Sequence, residues 1–139
     1  MPENIDLIER ICKIKKLNCK FFKIQSFEDY NKLESYDLIM AMGSLHHNPK
    51  EISKKIINIL KKKFVFGNTK FLILSYPYER WKNDGYKPFP FWGENTDGGA
   101  PWTEYYDKKK IDYLFNNKII HLDELKINDE FIIFYLKTT

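Results

Sequence analysis

The sequence predicts an α/β fold: a doubly wound, mostly parallel sheet that ends in an antiparallel hairpin. Three observations predict it. Residues 36–42 and 71–76 are nearly continuous apolar runs of strand length, the pattern of parallel strands covered on both faces. Between them lies a segment of helical periodicity, and strand, helix, strand at this spacing is a βαβ unit with a right-handed crossover. Residues 118–125 and 130–137, joined at Ile127, Asn128 and Asp129, read as an antiparallel hairpin closing the sheet.

Each element follows from local chemistry. Ile5, Ile8, Ile11, Cys12 and Ile14 recur at helical spacing with Glu9, Arg10, Lys13, Lys15 and Lys16 between them, an amphipathic helix ending near Asn18. Residues 20–24 are aromatic-rich and bounded by polar residues, so they read as a strand running into a loop at 26–31. Gly43 stops the apolar run of 36–42. Asn48 is expected as an N-cap and Pro49 as the first helical residue, with Glu51 suiting the positive end of the helix dipole. Ile52, Ile56, Ile59 and Leu60 then mark the buried stripe of a helix over 49–63, ending in solvated lysines. From 77 to 107 glycines and prolines break all periodicity while Trp81, Trp92, Trp102, Tyr105 and Tyr106 accumulate, and a loop this long in a compact domain is functional as a rule. Asp107 is expected to cap a short helix through Leu114.

Size and composition bound the rest. The chain has 139 residues and a mass of 16.8 kDa, which predicts one domain over 1–139. A hydrophobic share of 43% with only six Gly and six Pro excludes a disordered or linker-type chain. The 23 basic and 19 acidic residues give a net charge of +4, spread over the surface, so no nucleic-acid partner is expected. The apolar runs fall far short of the ~20 residues a membrane helix needs, and the N-terminus lacks a basic start and apolar stretch. No membrane partner and a cytosolic location are therefore expected. Cys12 and Cys19 are then expected to be reduced, as buried or half-buried thiols, since no second Cys pair or nearby His gives them zinc-ligand spacing.

The segment 36–49, with an acidic residue opening a hydrophobic run and then Gly43, Ser44, Leu45, His46 and His47 before a helix, resembles the fourth-strand region of class I S-adenosylmethionine-dependent methyltransferases. The order continues to match: helix, strand, insertion, closing hairpin. Residues 2–5 look like the start of the family's second helix, and 20–29 like its third strand and adenine-side loop. The resemblance therefore covers nearly the whole chain and implies an incomplete Rossmann-like methyltransferase sheet. The family's Gly-rich cofactor turn and its ribose-binding acidic residue, which belong to the first two strands, have no counterpart in this sequence. The expectation is a single N-terminally truncated methyltransferase-like domain with an insertion at 77–107. Removing those strands would leave residues 36–42 with an unpaired edge, to be met by residues 20–24, by a second copy or by a complementing N-terminal subunit.

The resemblance also implies a site. Met42, Gly43 and Ser44 would flank the methionine part of S-adenosylmethionine, at the strand ends where doubly wound sheets bind ligands. Ser26 and Phe27 occupy the adenine-side position, Ser26 standing where many members have a carboxylate. His46 or His47 would face the acceptor, since a neutral imidazole can take a hydroxyl proton during methyl transfer; the alternative is that one of them packs beneath the next helix. Arg80, Trp92, Asp97, Trp102 and Glu104 of the insertion suit a sugar-like acceptor, because Trp faces stack on C–H surfaces while carboxylates accept hydroxyl protons; the alternative is an aromatic mini-core pinning the loop. Asp37 reads as a structural strand-start residue, and Glu28 and Asp29 as solvated loop charges. His46, His47, Asp97 and Glu104 come from separate segments without ligand spacing, so no metal is expected. The functional reading is a methyltransferase, or a fragment of one, acting at oxygen on a small-molecule or glycan-related acceptor. The alternative is a non-catalytic remnant that binds a partner protein or a glycan through its open strand edge and aromatic loop.

Overall fold

The computed structural model describes residues 2–20, 24–34, 36–63, 69–83 and 104–138. Two compact units result, Met1–Leu33 and Glu34–Thr139.

In the first unit, helix α1 spans Pro2–Ile14 and stops short of the predicted end near Asn18. Lys16 adopts a left-handed φ of 54°, the Lys16 amide donates to the Lys13 carbonyl and the Leu17 amide to the Cys12 carbonyl. These are the two bonds of a Schellman cap, which satisfies the last carbonyls and reverses the chain. Of the predicted apolar stripe, Ile8, Ile11 and Ile14 are exposed and Cys12 is buried. The strand expected at 20–24 falls largely on residues outside those described; Lys20 and Ile24 themselves are irregular. Where a loop was expected at 26–31, a 3-10 turn spans Phe27–Lys32.

The second unit is a four-stranded sheet. Strand β1 (Ile39–Met42) runs parallel to β2 (Thr69–Ser75), β4 (Ile132–Thr138) runs antiparallel to β2, and β3 (Ile119–Lys126) runs antiparallel to β4, giving the order β1-β2-β4-β3. Three strands thus share one direction, and only β4 opposes them. Helix α2 (Lys50–Lys61) is the crossover between β1 and β2, α3 (Tyr78–Asn83) follows β2, and α4 (Lys108–Leu114) precedes the hairpin.

Period-two alternation sorts the core. Ala41, Phe71, Ile73, Ile132, Phe134 and Leu136 are buried on one sheet face, and register pairs Ala41 with Ile73 and Ile73 with Phe134. Ile57 and Leu60 of α2, Ile111 and Leu114 of α4, and Phe115 are buried with them, the rings of Phe71 and Phe115 meeting edge to face at 4.9 Å. Leu60 is buried in α2 as predicted, but the residues buried with it are Ser53 and Ile57, one position on from Ile52 and Ile56; Ile52, Ile56 and Ile59 are half-buried. Its start also shifts: Pro49 is the N-cap and Lys50 the first helical residue, while Asn48 closes the preceding turn.

Coverage of β1 on both faces, as expected from its apolar run, is not observed. Met40 and Met42 are 55% and 48% exposed on β1, which lies at the edge of the strand order. The Asp107 carboxylate accepts from the Lys110 amide at 2.8 Å and caps α4 as predicted. Asn116 and Asn117, both with φ of 55°, end that helix, Asn being the residue besides Gly that best tolerates this region. The hairpin turn is longer than predicted: the Asn128 side chain accepts from the amides of Glu130 and Phe131 and folds residues 127–131 into the connection. No described helix is long and apolar enough to cross a membrane.

Candidate functional site

The site forms where β1 and β2 end. Gly43 leaves β1 with a φ of 68°, a conformation that favours glycine, while its amide still donates to the Leu74 carbonyl at 3.2 Å. That combination turns the chain sharply at the last rung of the ladder. A 3-10 turn, Leu45–His47, follows at once. Buried Ser53 of α2 fixes it by donating to the Leu45 carbonyl at 2.9 Å, and the Asn48 side chain donates to the Ser44 carbonyl at 3.1 Å. Met42 and Ser44 are exposed on either side of Gly43.

This turn sets the two histidines against one another. His46 is 2% exposed, and its Nε2 lies 3.1 Å from Nε2 of half-buried His47. A hydrogen bond between these nitrogens makes one ring the donor and the other the acceptor, so the tautomers of the two rings are coupled. The His46 ring also stacks on buried Tyr76 at 4.0 Å between centroids, and His47 meets His46 edge-on at 4.2 Å.

Two insertion residues singled out in the sequence arrive at this cluster. The Glu104 amide donates to the His46 carbonyl at 2.7 Å, the Tyr106 amide donates to the Tyr76 carbonyl at 2.8 Å, and a parallel bridge joins Tyr76 to Tyr105. The returning chain is therefore zipped to the end of β2. The Glu104 carboxylate pairs with Lys110 Nζ at 2.8 Å, with both side chains under a fifth exposed. Lys110 also donates to the Tyr105 carbonyl and lies 3.4 Å from that ring's centroid. On Tyr76, the guanidinium of Arg80 sits 3.7 Å from the ring centroid, held by an ion pair of 3.4 Å to Glu130. Tyr76 thus links His46 to Arg80.

Burial pushes the Tyr106 phenol well above its ordinary pKa, and burial also raises Tyr105. Both stay neutral at physiological pH. Trp81 stacks on Tyr105 at 5.2 Å, so this part of the aromatic segment does form a small core.

Trp92, Asp97 and Trp102 lie outside the described residues. Ser26 and Phe27 belong to the first unit, at the cap and first residue of its 3-10 turn. There the reading of Asp29 as a merely solvated charge is corrected. Its carboxylate accepts from the Gln25 and Ser26 amides at 2.9 and 3.1 Å and pairs with Lys32 at 2.6 Å. The Lys32 hydrogen bond, followed by those two amides, holds the Asp29 pKa at about 2. Asp37 is exposed, one residue after an isolated bridge at Tyr36 and before β1 begins. Cys19 is exposed, against the expectation of a buried or half-buried thiol. Among the described residues, no group of three or more His, Cys, Asp or Glu side chains could hold a metal ion.

Sequence reasoning missed Tyr76, Lys110, Glu130 and Ser53. Tyr76 carried a usable signal, an aromatic at the C-terminal end of a buried strand just before proline; the other three carried none.

With this geometry in view, comparison with known proteins is informative at the level of fold. No protein-family model matches the chain, and no curated protein matches it in sequence. Solved structures do match. An O-methyltransferase family protein from Burkholderia thailandensis superposes with a TM-score of 0.68 at 13% identity, covering 100% of this chain and 42% of its own. A SAM-dependent methyltransferase from Methanosarcina mazei gives 0.59 at 18% identity, over 98% of this chain and 78% of its own. The magnesium protoporphyrin IX methyltransferase of Synechocystis, solved with bound S-adenosylhomocysteine, gives 0.53 at 15% identity, over 88% of this chain and 53% of its own. The chain has the class I methyltransferase-like fold, and it spans less than half the length of the Burkholderia protein.

Proposed function

We propose that this chain is part of an S-adenosylmethionine-dependent methyltransferase that acts at oxygen on a small-molecule or glycan-related acceptor. The observation that carries this reading is the positive-φ turn at Gly43, at the C-terminal end of a parallel strand, with the His46–His47 pair directly beyond it. Open strand ends of this kind are where α/β sheets take their ligands.

The openness of the turn supports its assignment to the cofactor. Among the described residues, a Cβ built on Gly43 would have only His46 Cε1 within 4 Å, at 3.9 Å, so the backbone there is open to a bound group. Met42, Gly43 and Ser44 would hold the methionine part, and Ser26 and Phe27 are assigned the adenine side on the resemblance. Arg80 and Glu104, with Trp92, Asp97 and Trp102, are assigned to the acceptor.

S-adenosylmethionine supplies, when bound, an electrophilic methyl group on a positively charged sulfur. The protein's own task is to relieve the acceptor hydroxyl of its proton as the oxygen attacks. With His47 Nε2–H donating to His46 Nε2, the His47 lone pair lies at Nδ1 and takes that proton. The imidazolium so formed keeps donating to neutral His46, which stabilises it as an orienting second group does. His46, buried and stacked on Tyr76, is the positioning residue; His47, half-buried, is the base.

A second reading has one observation in its favour. The outer edge of β1 has no strand partner among the described residues, and Leu38, Met40 and Met42 beside it are 42–55% exposed. An edge of this kind is a template for another polypeptide, so a complementing N-terminal subunit, a second copy or a binding partner would pair there.

Calorimetric titration of the chain with S-adenosylhomocysteine separates the two. Micromolar binding that is lost in Gly43→Val supports the methyltransferase. A folded chain that does not bind overturns methyl transfer by this chain alone and favours the partner-binding reading.

A further inference from the structure

The two cysteines have no part in the site above, yet they are placed for chemistry. Cys19 lies seven positions after Cys12, and the Schellman cap of α1 brings them together. By reversing the chain at Lys16 and Leu17, it lays Cys19 against the last full turn of the helix. The Cys12 thiol donates to the Cys19 sulfur with the two sulfurs 3.0 Å apart. Both are free thiols, Cys12 buried and Cys19 exposed, and together with Glu9, Lys13 and Leu17 they line one shallow pocket.

We propose that Cys12 and Cys19 are a redox pair, a dithiol that closes to an intramolecular disulfide by exchange with a small anionic disulfide such as glutathione disulfide. Exposure decides the order of events. The Cys19 thiolate attacks one sulfur of glutathione disulfide, a Cys19–glutathione bond forms, and the first glutathione leaves as thiolate. The Cys12 thiolate then attacks the Cys19 sulfur, the protein disulfide forms, and the second glutathione leaves. Two protein thiols are oxidised and one glutathione disulfide is reduced to two glutathione thiols, the two protons given up by the cysteines passing through solvent to the two leaving thiolates. The hydrogen bond to Cys19, with burial, holds the Cys12 thiol above its ordinary pKa, which suits it to second rather than first attack. Lys13 in the pocket, with Lys15, Lys16 and Lys20 adjacent in sequence, gives an anionic disulfide a basic place to approach. Closure ties residues 18–20 covalently to the end of α1, so redox state sets how the chain leaves that helix.

The test equilibrates the whole reduced chain in glutathione buffers, quenches with acid and maps it without reduction. Trypsin cuts at Arg10, Lys13, Lys16 and Lys20, so the expected product is peptide 11–13 joined to peptide 17–20, with the chain monomeric and lighter by two hydrogens. Half-oxidation is expected in a buffer at least roughly tenfold more reducing for the native chain than for the chain in urea, because the fold holds the sulfurs together. Cys12→Ser is expected to stop at a glutathione adduct on Cys19. Disulfides between chains overturn the proposal. So does a glutathione adduct on Cys19 that persists in the native wild-type chain, or a native midpoint equal to that in urea.

Discussion

Asp29 shows how one carboxylate holds a turn. Its two amide donors and Lys32 favour the charged form, so its pKa falls from an ordinary 3.8 to about 2. A group whose folded pKa is depressed contributes stability that is fully present above the unfolded value and lost as pH falls through the folded one. The Gln25 and Ser26 amide resonances are therefore expected to titrate with a midpoint near pH 2; a midpoint near the ordinary 3.8 contradicts this role. Lys16 presents the opposite case, a side chain in a left-handed conformation that costs about 1 kcal/mol or more and that glycine adopts freely. Lys16→Gly is expected to stabilise the end of α1 by about 1 kcal/mol, read as slower hydrogen exchange at the Leu17 amide, and faster exchange contradicts the assignment of the cap. At this scale the sequence was partly legible. Asp107 announced itself as a cap and Gly43 as a turn, because Asp and Gly carry their own local preferences. Lys16 and Ser53 did not, since a lysine at a helix end and a serine inside one are ordinary until the fold places them.

Elements were the most legible level, and their errors share a cause. The apolar runs located β1 and β2, and turn residues located the hairpin, because period and punctuation are local. Depth of burial is not local. The run ending at Met42 reads as a doubly covered strand, yet its exposed methionines depend on what lies beyond the sheet edge. The α2 stripe slipped by one position because isoleucines at 52, 56, 57 and 59 support two faces almost equally, and Ser53 on the buried face hid the true one. Two substitutions test the assignment. Asp107→Ala is expected to cost ~0.5–2 kcal/mol through loss of the α4 cap, measured by chemical denaturation, with Asp107→Asn retaining most of it. Phe134→Ala, which empties the covered face, is expected to cost ~3–5 kcal/mol, whereas exposed Met42→Gln should stay within about 0.5 kcal/mol. Equal costs at Phe134 and Met42 would mean that the faces are wrongly assigned.

At the scale of the molecule, the fold gathers residues that the sequence keeps far apart. The histidine pair, Tyr76 with Arg80, and Glu104 meet at one end of the sheet through backbone bonds that zip the returning chain to β2. Sequence spacing could nominate His46, His47, Arg80 and Glu104 separately, but not their meeting, which depends on long-range pairing. The same end carries the open turn at Gly43, which we assign to the cofactor's methionine part. Titrating the isotope-labelled chain with S-adenosylhomocysteine and following its backbone amides tests this assignment. Saturable shifts centred on Met42, Gly43 and Ser44, extending to His47, are the expected result. Saturating shifts confined to the β3–β4 hairpin, or none in a folded chain, would contradict it.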